Sequence, residues 1–102
     1  MHPIVESRLA EVAALCRDYG VQRLELFGSA ARDDFDAARS DLDFLVTLGR
    51  MQNKSAFDAY FELKDDLKAL FGRSVDLVSV GAVRNPYVLP SIERDRQLVF
   101  ST

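Results

Sequence analysis

A single cysteine, Cys16, and a single histidine, His2, are all that 102 residues supply of the side chains most often used for disulfides, zinc cages and nucleophilic catalysis. One cysteine excludes an internal disulfide and a thiolate zinc cluster. It falls on the apolar stripe of an expected helix and reads as core packing in a reducing cytosol. His2 stands at the N-terminus, where no triad can be assembled around it. A basic surplus is also missing: 13 Lys and Arg face 16 Asp and Glu, for a net charge of -3. That balance disfavours long nucleic acid as a partner. No apolar run approaches the roughly 18 residues that cross a bilayer. Met1-His2-Pro3-Ile4 has no basic-then-apolar signal pattern, so no secretory leader is expected. The expectation is a cytoplasmic chain with no membrane partner. No repeat, low-complexity tract or linker interrupts it, so one domain over residues 1–102 is expected.

What is present is a 48% hydrophobic chain with clear periodicity. Val5, Leu9, Val12, Cys16 and Tyr19 recur in steps of three and four, the stripe of one amphipathic helix stopped by Gly20. Leu24 to Phe27 predicts a short strand, and Ala30 to Arg32 a short helix ahead of a polar loop ending at Ser40. Asp41 to Leu48 predicts a second strand with Leu42, Phe44, Val46 and Leu48 on one face and Asp41 and Asp43 on the other. Phe57 to Phe71 predicts a long helix stopped by Gly72. A strand over Ser74 to Val80, a short helix after Asn85-Pro86 and a strand over Gln97 to Phe100 complete the order. This alternation argues for an α/β fold, a mixed sheet flanked by helices.

Three carboxylates stand out. Asp41 and Asp43 share a strand face, and Asp76 lies inside the apolar run Val75-Asp76-Leu77-Val78. Carboxylates in strands are costly to bury unless something neutralises them. Taken singly, the Asp41/Asp43 pair also fits a solvated strand end, and Asp76 an edge charge that discourages aggregation. Together they suit a metal site of oxygen ligands, which favours Mg²⁺ or Mn²⁺. Two ions about 3.5–4 Å apart is the arrangement of phosphoryl and nucleotidyl transfer. Gly28-Ser29, at a strand end leading into a helix, suits a phosphate cradle or an ordinary capped turn. Arg32, one turn on, is placed either for the same phosphates or for solvent.

The run Leu26-Phe27-Gly28-Ser29-Ala30-Ala31-Arg32, followed by Ser40-Asp41-Leu42-Asp43-Phe44-Leu45-Val46 and Val75-Asp76-Leu77-Val78, resembles the minimal (MNT-type) nucleotidyltransferases of the DNA polymerase β-like superfamily. The resemblance spans about Leu24 to Val78. It implies the nucleotidyltransferase fold, with Asp41, Asp43 and Asp76 as catalytic metal ligands for two Mg²⁺ ions. It implies Gly28 and Ser29 as nucleotide-binding residues for the triphosphate of ATP or another NTP, with Arg32 one turn on placed to join them or to face solvent. It further implies an antitoxin that moves AMP onto a tyrosine of a HEPN-type toxin partner, in a homo- or hetero-oligomer. The alternative is a catalytically silent antitoxin that blocks its partner by contact. Where the family commonly has glycine after the arginine, this chain has Asp33, with Asp34 and Asp36 close by, and that negative charge opposes a triphosphate. Tyr87, Val88, Leu89 and Ile92 are expected to cap the domain's own core or to dock a partner.

Overall fold

The computed structural model describes residues 2–28, 31, 41–49, 54–79 and 96–102. Helices α1 (Pro3–Glu6) and α2 (Leu9–Asp18) precede strands β1 (Val21–Phe27) and β2 (Leu42–Leu48). Helix α3 (Ala56–Phe71) leads to β3 (Val75–Ser79), and β4 (Gln97–Ser101) follows. The four strands form one sheet in the order β3-β2-β1-β4. β1 runs antiparallel to both β2 and β4, and β2 runs parallel to β3, so the sheet is mixed. The parallel pair needs a crossover connection, and α3 supplies it.

The expected first helix is two helices. Pro3 opens α1 without needing an amide partner, and His2 Nδ1 accepts from the Ile4 N–H at 3.1 Å. The Arg8 N–H then bonds back only three residues, to Val5 O at 3.0 Å, and Arg8 leaves helical geometry at φ -118° and ψ 14°. The break lets Val5, Val12 and Cys16 all reach 0% exposure. Strand β1 begins at Val21 rather than Leu24, because pairing with β2 carries the polar Gln22 and Arg23 into the strand.

Helix α3 is where it was expected. The Ser55 hydroxyl accepts from the Asp58 N–H at 3.1 Å and caps its start. Gly72 ends it at φ 63°, a left-handed conformation that favours glycine, with its N–H on Lys68 O at 2.8 Å. Ala59, Leu63, Leu67 and Phe71, in steps of four, are its buried stripe.

One sheet face carries Leu24, Leu26, Leu42, Phe44, Val46, Val75 and Leu77 into a core shared with α2 and α3. Phe44 is fully buried and stacks on Phe71 with ring centroids 6.1 Å apart. A fully buried side chain of this kind contributes about 1.5–3 kcal/mol. The Tyr60 hydroxyl donates to Leu77 O on β3, satisfying a carbonyl of the edge strand. The short helix expected over 30–32 and the one after Asn85-Pro86 lie outside the described residues, save Ala31, which is helical and buried.

Candidate active site

The second face of the sheet holds the candidate chemistry. Side chains alternate along β2, so Asp43 points away from the core side chains Leu42 and Phe44. In the parallel ladder Asp43 is the register partner of Asp76. In the antiparallel ladder Asp43 is also the partner of Phe27, the residue before Gly28. Asp76, Asp43 and Phe27 therefore form one row across three strands, spaced about 4.8 Å apart. Asp76 is exposed and Asp43 partly so. Asp41 precedes β2 by one residue and is exposed.

Gly28 closes against this row. Its φ is +75°, and a Cβ there would overlap Asp43 Oδ2 and sit 3.2 Å from Asp43 Cγ. Only a residue without a side chain leaves the Asp43 carboxylate in place. The Ala31 N–H donates to Gly28 O at 3.1 Å, which starts a turn just after the strand. Ser29 and Arg32, the other expected nucleotide ligands, lie outside the described residues.

Like charges directly opposite on neighbouring strands are destabilising, and the Asp43/Asp76 pair is such an arrangement. A cation bound between them would relieve it. Among the described residues no three His, Cys, Asp or Glu side chains draw together into a metal cage. Mg²⁺ does not need one: it is commonly held by one or two carboxylates, with water and substrate phosphates completing its shell. The donor set fits that ion. Asp76 also acts on its surroundings: burial, and then the charge of Asp76, push the Tyr60 hydroxyl above its ordinary pKa.

A second charged group shares this face and was missed from the sequence. Glu25 is 4% exposed and pairs in register with Leu45, itself two residues from Asp43. Its Oε1 lies 3.0 Å from Arg23 Nε and its Oε2 3.2 Å from Arg96 Nε. The signal was available: Glu25 interrupts an apolar run, Leu24 to Phe27, just as Asp76 does.

A row of carboxylates lies across a parallel strand pair, beside a glycine turn, on a mixed sheet. Comparison with known proteins identifies the class. The model of the nucleotidyltransferase domain family matches residues 12–99, and the chain belongs to that family. A Methanocaldococcus jannaschii protein carrying the name protein adenylyltransferase is 43% identical over 77 residues, 76% of this chain and 74% of that protein. A solved structure described as a minimal nucleotidyltransferase superposes with a TM-score of 0.72 at 31% identity, covering 95% of both chains. The complex of a tri-AMPylated Shewanella oneidensis HEPN toxin with its MNT antitoxin shares the fold, with a TM-score of 0.65 at 20% identity. That match covers 96% of this chain and 73% of the other. This chain is thus a minimal nucleotidyltransferase. Among the described residues no helix is long and apolar enough to cross a membrane.

Proposed function

We propose that this chain is a Mg²⁺-dependent adenylyltransferase that moves AMP from ATP onto a tyrosine hydroxyl of a HEPN-type partner and so acts as an antitoxin. The observation that carries the reading is the register pairing of Asp43 with Asp76 beside Gly28. The name of the Methanocaldococcus relative and the AMPylated toxin in the Shewanella complex point the same way.

Asp41, Asp43 and Asp76 would hold the Mg²⁺ ions, which when bound supply charge neutralisation for the triphosphate and a more acidic acceptor hydroxyl. Gly28 lets the backbone approach the phosphates closely, with Ser29 and Arg32 as further ligands. The acceptor oxygen bonds to the α-phosphorus while the bond from that phosphorus to the bridging oxygen breaks. Pyrophosphate carries away the electron pair of the broken bond. Asp76, on one of the two outer strands of the described sheet, receives the acceptor proton and passes it to water.

The test is intact-mass measurement of both proteins after mixing the chain with ATP, Mg²⁺ and the product of the neighbouring gene. An AMP-sized gain on the partner is expected, absent with Asp43→Ala whose circular dichroism matches the wild type. A stable complex with no mass gain and no ATP consumption would leave the contact-blocking antitoxin in its place.

A further inference from the structure

We infer that Arg96 is a ligand for the phosphate tail of the nucleotide, held on the carboxylate face by the buried Glu25. The identity of the anion rests on the nucleotidyl-transfer reading; the placement of Arg96 does not.

Charge comes first. Glu25 is 4% exposed, and a buried carboxylate requires a partner. One guanidinium would neutralise it, yet Arg23 and Arg96 both reach it. The trio therefore carries a net positive charge of one. Both arginines engage Glu25 through Nε. The Arg96 side chain is 42% exposed, so its guanidinium is open to a further acceptor. Among the described residues Glu25 is the carboxylate that pairs with Arg96.

Position comes second. Glu25 pairs with Leu98 and Leu26 with Gln97, and continuing that register to the residue before β4 would bring Arg96 level with Phe27. Phe27 is the partner of Asp43. The contact with Glu25 fixes the Arg96 side chain on the face that bears Asp43. Arg96 thus extends the row Asp76, Asp43, Phe27 to the fourth strand, about 10 Å or two strand spacings from Asp43. Gly28 lies at the end of the strand between them. An anion bound against Gly28 would have the carboxylate row on one side and Arg96, anchored at Glu25, on the side of β4. A guanidinium fork matches phosphate oxygens two at a time. Arg23 is different: it pairs with Thr47 and Ser101, four residues back along β1, and serves to share the charge of Glu25.

Titration calorimetry with Mg·ATP, magnesium tripolyphosphate and AMP tests this directly. Arg96→Ala is expected to weaken ATP and tripolyphosphate by on the order of tenfold or more, the loss of a charge-assisted contact, while AMP binding is unchanged. Arg96→Lys, which keeps the charge and loses the fork, should fall between. The double variant Glu25→Gln with Arg96→Gln removes the buried charge together with one of its two partners and should show the same affinity loss in a folded chain. Glu25→Gln alone, a change to a positioning residue, should raise KM for ATP and leave kcat in place. Variants that bind ATP and tripolyphosphate as the wild type does overturn the inference, as does an equal loss for AMP. Arg96-dependent ATP binding in a chain that transfers no AMP supports it and overturns the transfer reading. A wild-type chain that binds no ATP overturns both.

Discussion

Replacing Gly28 by alanine should separate stability from activity. The φ of +75° at this position costs an L-residue about 1–2 kcal/mol. Alanine also restricts the unfolded chain, which returns about 0.4–1 kcal/mol. The net loss is about 1 kcal/mol, and a melting midpoint lower by about 4–8 °C follows for a domain of this size. The chemical effect should be larger. The new Cβ overlaps Asp43 Oδ2 and lies 3.3 Å from Asp43 Cβ, so the carboxylate must swing away from its place opposite Asp76. Displacement of a reacting group by about 1 Å can cost a hundredfold in rate. A loss of at least that order in AMP transfer is expected at temperatures where the variant remains fully folded. Gly28→Asn provides the control, because asparagine tolerates positive φ but still carries a Cβ. It should recover most of the midpoint and none of the rate. An alanine variant that transfers AMP at the wild-type rate, or slows only in proportion to its unfolded fraction, refutes the argument.

Two further outcomes follow from titratable groups with shifted pKa values. Burial pushes the Cys16 thiol up to about 12, against a small lowering by Arg17. Native protein at pH 8 should resist alkylation and become reactive at the rate of unfolding; immediate modification would contradict the packing described. The Tyr19 hydroxyl donates to the Asp66 carboxylate, and that bond, then burial and nearby acidic charge, raise its pKa from 10.0 to about 12. The folded state therefore keeps the proton longer than the unfolded one. The resulting stability is present below pH 10 and is lost as the pH rises to 12. Denaturant titrations across that window should show a shallower decline for Tyr19→Phe than for the wild type, and parallel curves would refute the assignment.

Much of this was legible in the residues. Ser55 and Gly72 mark the ends of α3 through their own capping chemistry, and the apolar positions between them keep helical spacing. The alternation in β2 placed Leu42, Phe44 and Val46 on the core face and left Asp43 on the other. Register was not legible. That Asp76 sits opposite Asp43 rather than one residue off is a property of the β2–β3 ladder, which no local pattern encodes. Glu25 was passed over for a related reason. Alternation assigns it to the outer face of β1, and an outer face is ordinarily solvated, yet here Glu25 and Leu45 are both buried on it. The break between α1 and α2 left no trace either, because the apolar stripe continues through Ser7 and Arg8 without a missed step.

The sheet order has a consequence for how the protein fails. Among the described residues β3 has a hydrogen-bonded neighbour on one side only, and it carries Asp76. Peripheral strands open at lower free energy than the centre of a sheet. Warming should therefore part Asp76 from Asp43 while Phe44, Leu63 and Leu67 remain sealed, and the working temperature of the site is set by its rim rather than by its core.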